Sequence, residues 1–219
     1  MLPLYLVNAR GLGLLQTGLV VAAMAGGAFV AGSTARHIAA RFGAPGTVIL
    51  GLVLQVIGVA ILGFTLTSTT SFWLIALILV IYGLGQGFAS AQLTSTVLTD
   101  VPTDESGQGS AAQSTVRQLG TALGAAIGGT LLSIGLTGGS ADFTGKSAAM
   151  AKAVTDSAGS VLPAYRAQHF PPQMIERLVD LFSDASRLSV LGSGVILLLG
   201  LVGALQVARV ARKAAPAGE

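Results

Sequence analysis

The stretch from Gly11 to Thr34 reads "GLGLLQTGLVVAAMAGGAFVAGST" and contains no ionisable side chain. A helix of about twenty apolar residues is long enough to cross a hydrocarbon core of about 30 Å. The apolar residues here are continuous and do not alternate with polar ones, which argues against a strand of a membrane β-barrel. The stretch therefore predicts a transmembrane helix.

Four further segments are similarly apolar, except that Gly109–Leu136 is less so because it contains Gln113, Arg117 and Gln118. They are Thr47–Leu66, Phe72–Leu98, Gly109–Leu136 and Leu188–Val207. The chain of 219 residues is 52% hydrophobic and only 10% charged, whereas soluble domains are about 25% charged. Because lipid offers no partner to exposed backbone groups, these segments must be helical. The sequence predicts an all-α integral membrane protein with about five transmembrane helices.

The remaining segments divide the chain into four regions. Residues 1–136 would hold a partial first helix, "MLPLYLVNARG", which resembles the end of a helix whose beginning is missing, and then four spans. Residues 137–186 would form a long loop with an amphipathic helix lying at the membrane surface. Residues 187–210 would form the final span and residues 211–219 a tail. The apolar face of the amphipathic helix consists of Met174, Ile175, Leu178, Val179 and Phe182.

Short basic clusters indicate the orientation in the membrane. Arg36 and Arg41 lie in the first connection, and Arg209, Arg212 and Lys213 lie near the C-terminus. Short loops rich in Lys and Arg stay in the cytoplasm, whereas long segments translocate largely regardless of charge. We expect a cytoplasmic tail, an extracytoplasmic long loop and a multi-pass protein of the plasma membrane, most simply a bacterial inner membrane.

Arg117 lies within one of the predicted spans, where a charge is costly and usually faces protein or water. On a helix, Gly124 and Gly128 lie within about 20° of it and Gly120 within about 60°. Small residues at this spacing allow another helix to approach closely, so these three glycines are candidates for helix packing. Arg117 either faces a cavity, where it binds substrate or pairs with an acid across the bundle, or it extends to the headgroups or to carbonyls of a neighbouring helix.

The third predicted span carries a polar stripe of Tyr82, Gln86 and Ser90 at spacing i, i+4 and i+8. Such a stripe can line a substrate cavity or provide hydrogen bonds between helices, and Gln113 has the same two interpretations. No predicted span contains Asp, Glu or His. A proton-driven transporter needs a group that changes charge within the membrane, so this chain would have to obtain its proton carrier from elsewhere.

Several function classes are excluded by composition. The chain has no cysteine and a formal net charge of only +3, with its basic residues near the ends of the spans. It shows no pair of catalytic acids, no metal-ligand cluster and no phosphate-binding loop. We expect no enzymatic activity, no cofactor, no metal and no nucleic-acid partner; the expected partners are the lipid bilayer and a small molecule.

Two stretches carry a resemblance to a known family. They are "GLVVAAMAGGAFVAG" with "ARFGAPGTVILGL", and "YGLGQGFASAQLTSTVLTDVPTDESGQGSAAQSTVRQLGTALGAAIGG". This order resembles the C-terminal half of the fourteen-helix drug/proton antiporters of the major facilitator superfamily, and Arg117 matches the characteristic arginine of their penultimate helix. The resemblance implies most of a C-terminal helix bundle, drug-like substrates, and protons carried by an N-terminal half that this chain lacks.

The connection "GSTARHIAARFGAPGTVILG" is similar to a decayed copy of the cytoplasmic motif of that superfamily. Arg41 and Gly43 match the motif, but Ala40 stands where the family has Asp. The resemblance makes Arg41, Gly43 and Asp100 candidates for cytoplasmic gating, with a hypothetical contact between Arg41 and Asp100.

Two functions remain open. The leading one is the C-terminal half of a proton-coupled exporter of drugs or other small molecules. The alternative is an accessory membrane protein that assembles with a partner through its Gly-rich helix faces and transports nothing itself.

Overall fold

A computed structural model describes residues 2–98, 106–168 and 170–214, and for residues 93–98 and 210–214 it describes the backbone alone. All regular structure in these ranges is helical. The helices are α1 (Leu2–Leu4), followed by a π-helical turn (Tyr5–Ala9), α2 (Leu14–Thr65), α3 (Phe72–Leu98), α4 (Ser106–Ser140), α5 (Lys146–Asp156), α6 (Leu162–Ala167) and α7 (Pro172–Ala214). Within the described residues, α2, α3, α4 and α7 are long and apolar enough to cross a membrane.

Helix α2 is two helices joined at Gly43. Its 52 residues would extend over about 78 Å as a straight helix, far more than one crossing needs. Gly43 interrupts it at φ 73° and ψ 166°, a conformation that is essentially restricted to glycine. Pro45 follows in the first turn of the second arm, where a missing N–H is tolerated. The Thr47 hydroxyl donates a hydrogen bond of 2.9 Å to the Gly43 carbonyl and stabilises the start of that arm.

Both arms of α2 pack against α3 through glycine. Gly83 lies against the backbone of Met24, and Gly87 lies against that of Ala28, so the first arm runs parallel to α3. On the second arm the order is reversed: Gly51 meets Gly85 and Ala89, whereas Gly58 meets Tyr82. The two arms therefore run in opposite directions and α2 is a hairpin. With its two arms counted separately, the described residues contain five helical segments of spanning length, as the sequence predicts.

The described chain divides into two compact units. One comprises the described residues of Met1–Ala22, Val59–Ala76 and Leu123–Ser193, and the other those of Ala23–Gly58, Leu77–Ala122 and Gly194–Glu219. The hairpin contacts with α3 described above belong to the second unit.

In the first unit, α7 packs antiparallel to the second half of α4. The Ser189 hydroxyl donates a hydrogen bond of 2.7 Å to the Gly128 carbonyl. About two turns further along α4, a Cβ at Gly135 would come within 2.7 Å of the Cα of Ala185. Further on, Gly139 lies against Leu181. Glycines thus permit close packing of these two helices, as they do between α2 and α3.

The amphipathic segment differs from its prediction. It is not a separate helix but the beginning of α7, which continues without a break past residue 187; its position at the membrane surface stays a prediction. Its apolar face is present, since Leu178, Val179 and Phe182 are buried. Phe182 packs against Gly159, which has φ 82°, so the protein's own loop covers this part of the face. Helix α4 likewise extends to Ser140, beyond the predicted end of its span.

Candidate functional site

The polar stripe of α3 borders an open groove in the second unit. Gln86 and Ser90 are both exposed and line a cleft of about 540 Å³ between α3 and the first arm of α2. The rest of the lining consists of Met24, Ala25, Ala28, Gly32, Gly87 and Ala91. A volume of about 300–1,000 Å³ with mostly apolar walls and a few polar groups is typical of small-molecule sites.

The small residues of the first arm give the groove its shape. A Cβ added at Gly32 would meet nothing within 4 Å, so the groove is open at that point. Sequence reasoning missed this wall because small apolar residues look the same whether they pack against a helix or leave space. The signal that could have found it is Ala28 and Gly32 at i, i+4 on a helix neighbouring the polar stripe.

Tyr82 does not line this groove. Its side chain is half-buried, and its Cβ lies 3.2 Å from the position that a Cβ at Gly58 would occupy. It therefore packs against the second arm of α2, while Gln86 and Ser90 face the first. The predicted stripe divides between two neighbours, because positions four residues apart drift by about 40° around a helix.

Arg117 lies on the exposed first half of α4. Its side chain is exposed, and its backbone carbonyl accepts a hydrogen bond of 2.9 Å from the Thr121 hydroxyl. The one ion pair among the described residues is Lys152–Asp156 at 2.7 Å, so no described carboxylate neutralises Arg117. Gln113 is half-buried one turn earlier on the same helix. Neither residue lines the groove of Gln86 and Ser90.

The glycine stripe of α4 also divides. A Cβ at Gly120 or Gly124 would meet nothing within 4 Å, whereas Gly128 is buried and its carbonyl accepts the bond from Ser189. Packing through Gly128 is internal to the first unit. Close packing of another helix against Gly120 and Gly124 stays a prediction.

The cytoplasmic gating candidates are only partly described. Arg41 is exposed near the end of the first arm of α2, and Gly43 forms the break between the arms. Asp100 lies outside the described residues, so the contact between Arg41 and Asp100 stays a prediction. Among the residues described, no group of three His, Cys, Asp or Glu side chains could hold a metal ion.

Comparison with known proteins identifies the family. A family model described as the Major Facilitator Superfamily matches residues 1–125, more than half of the chain. The chain belongs to the Major Facilitator Superfamily. It is a multi-pass membrane protein of a transporter family, consistent with its long apolar helices. The matched region includes α2, α3, Arg117 and the groove.

Two curated proteins are similar to the chain. Both are multidrug resistance protein Stp of Mycobacterium tuberculosis, from strains CDC 1551 / Oshkosh and ATCC 25618 / H37Rv. Each is 26% identical over 133 residues, which is 61% of this chain but 24% of the relative. The aligned region is thus about a quarter of the length of these relatives. No solved structure matches the chain.

Proposed function

We propose that this chain forms the C-terminal bundle of a proton-coupled exporter of drug-like small molecules in the plasma membrane. Membership of the Major Facilitator Superfamily supports transport, and the name of the similar protein Stp, multidrug resistance protein, supports drug-like substrates. The observation that carries the proposal is Arg117, an exposed cation without a described carboxylate partner on a helix long enough to span. A charge in such a position usually marks a substrate or ion pathway.

The groove supplies the second part of the proposed site. Gln86 and Ser90 offer amide and hydroxyl groups beside apolar walls, which suits an amphipathic molecule with one or two hydrogen-bonding groups. Arg117 would contact either substrate or an acid of another bundle. Because none of the five spans predicted from the sequence carries a carboxylate, proton coupling in this proposal depends on acids of an N-terminal half, and the two halves would rock around a midplane site.

The experiment is a dye-efflux assay in a drug-sensitive bacterial host. The full chain is expressed alone and together with the N-terminal part of Stp, and efflux of a fluorescent amphipathic dye is followed with and without a protonophore. We expect efflux only from the pair, and its loss when the protonophore is added. Arg117→Ala should lower efflux by about tenfold or more, because a pathway charge is lost, whereas Arg117→Lys should retain part of it.

The matched control is Gln118→Ala, which changes the neighbouring exposed side chain of the same helix. Its efflux should equal that of the unmodified chain at equal membrane abundance. An Arg117→Ala variant that exports dye normally would contradict the role assigned to this arginine. Efflux that persists with the protonophore would contradict proton coupling.

A second candidate function is an accessory membrane protein that transports nothing. The open face at Gly120 and Gly124 favours it, because small residues on an exposed helix face permit close docking of another helix. Stable co-purification with a membrane partner, together with absence of efflux in every combination, would favour this alternative over the exporter.

A further inference from the structure

A second cleft, in the first unit, brings two arginines and two acids together. It has a volume of about 670 Å³ and lies where the end of the N-terminal helical segment meets the turn after α2, helix α6 and the beginning of α7. Its lining includes a basic wall, Arg10 and Arg166, and an acidic wall, Glu176 and Asp180 of α7. None of these residues belongs to the proposed transport site.

Backbone carbonyls hold the two guanidinium groups in this cleft. Arg166 donates from Nη1 to the Asn8 carbonyl at 3.1 Å and from Nη2 to the Ala9 carbonyl. Arg10 donates from Nη1 to the Ser68 carbonyl. Both side chains are therefore fixed by neutral acceptors, which orient the guanidinium groups without neutralising their charge.

In this arrangement neither guanidinium group forms an ion pair with a described acid, and one N–H group of Arg10 has no described acceptor. Burial, and then the nearby charge of Arg10, lower the pKa of the Arg166 guanidinium, although it stays protonated at neutral pH. The Nε of Arg10 is buried and has no hydrogen-bond partner among the described residues. A buried donor without an acceptor costs free energy, and an anion between the two arginines would reduce their mutual repulsion.

The two carboxylates of the acidic wall disfavour a plain anion as the ligand of this cleft. Glu176 and Asp180 are exposed, lie at i, i+4 on α7, and are not within ion-pair distance of either arginine. Two carboxylates would repel an anion at the arginines but attract a cationic group across the cleft. The formal charges of the four side chains sum to zero, so the complementary ligand also has separated opposite charges.

We infer that this cleft binds a small zwitterion, with its phosphate or carboxylate group between Arg10 and Arg166 and its ammonium group against Glu176 and Asp180. The volume is within the range of about 300–1,000 Å³ found for small-molecule sites. The same chemistry is present in a phosphoethanolamine lipid headgroup and in a free zwitterionic solute. The inference does not depend on the proposed export function.

The test uses the full chain in nanodiscs of phosphatidylglycerol, whose headgroup carries no ammonium. Glycerophosphoethanolamine and glycerol 3-phosphate are titrated separately by isothermal calorimetry. We expect saturable binding of glycerophosphoethanolamine, and binding of glycerol 3-phosphate that is weaker by about tenfold, because only the zwitterion uses both walls.

The acidic wall is then neutralised by Glu176→Gln with Asp180→Asn, changes to exposed side chains that leave the arginines and their carbonyl contacts in place. The preference should reverse: glycerophosphoethanolamine should weaken by about tenfold and glycerol 3-phosphate should strengthen. The matched control is Asp184→Asn, an exposed acid one turn further along α7 that does not line this cleft, and it should change neither affinity.

A second preparation, in nanodiscs of mixed phosphatidylethanolamine and phosphatidylglycerol, distinguishes a lipid headgroup from a free solute as the ligand. Retention of phosphatidylethanolamine in native mass spectra, reduced in the Glu176→Gln/Asp180→Asn variant, would support the inference and identify a lipid headgroup. Saturable binding of glycerophosphoethanolamine without lipid retention would support it and identify a free solute. Absence of binding by either route, or equal binding of glycerol 3-phosphate in both variants, would overturn it.

Discussion

Arg166 is the residue that connects the parts of the first unit most distant in sequence. Its guanidinium binds the carbonyls of Asn8 and Ala9, which are 158 and 157 residues away. These carbonyls lie at the end of the π-helical turn Tyr5–Ala9, where free carbonyls remain and a cation is favourable. The Arg166 side chain therefore caps the free carbonyls at this helix end and fixes α6 beside it.

Arg166→Gln should loosen the N-terminal segment. A hydrogen bond to a charged group contributes about 1.5–3 kcal/mol, and the half-exposed position of Arg166 favours the lower end of that range. Hydrogen–deuterium exchange of amides 5–12 should become faster by about tenfold, since each 1.4 kcal/mol changes an equilibrium constant tenfold. Lys146→Gln, an exposed position at the start of α5, should leave this exchange unchanged. Equal exchange in both variants would show that Arg166 does not hold this end.

No sequence pattern predicted that contact. Periodicity relates residues within one helix, and residues 8 and 166 are related only through the folded chain. Polar residues within spans are easier to find, because any polar residue there is conspicuous. Gln86 and Ser90 border an open groove, and their contact with substrate stays a prediction.

Glycine contacts determine how closely the helices of the second unit approach. Gly83, Gly85 and Gly87 do not break α3, which is continuous through them. Each lies instead against backbone of an α2 arm, where a Cβ would collide with neighbouring atoms. Close approach of this kind replaces the hydrophobic driving force that helices lack in lipid.

Gly83→Ala and Gly87→Ala should each destabilise the protein by about 1–3 kcal/mol, because the added methyl must push two backbones apart. Gly26→Ala is the matched control on the first arm of α2, where a Cβ would meet nothing within 4 Å. It should be neutral, or stabilising by up to about 1 kcal/mol, since alanine is the better helix former. Thermal unfolding in micelles, followed by the fluorescence of the single tryptophan, Trp73, measures all three. Equal stability of the Gly26 and Gly83 variants would contradict close packing at α3.

Helix α7 shows the limit of prediction at the level of elements. Its apolar face at Leu178, Val179 and Phe182 was predicted from spacing, but the pattern contains no information on what covers that face. These three side chains are buried, and Phe182 packs against Gly159 of the protein's own loop. By contrast, α3 begins at Phe72, as predicted, and stays helical to Leu98, the last residue described before 106, because a long uncharged run in lipid must pair its backbone within one helix.

At the scale of the whole molecule, the hairpin at Gly43 decides how the chain crosses the membrane. A straight α2 could not fit across a core of about 30 Å, whereas two arms of opposite direction cross it twice. The number of spanning segments could be predicted from apolar runs. Their orientation depends on charge, and the short basic cluster of Arg36 and Arg41 favours a cytoplasmic first connection.

The orientation can be tested directly because the chain has no native cysteine. Single cysteines at two exposed positions, His37→Cys before the Gly43 break and Thr69→Cys after the second arm, are separated by one predicted crossing. We expect a membrane-impermeant maleimide to label Thr69→Cys in intact cells and His37→Cys only after permeabilisation. Labelling of both from the same side would contradict a crossing by the arm 44–65. The reverse pattern would preserve the hairpin but place the basic connection outside, and the long loop with its zwitterion cleft would then face the cytoplasm.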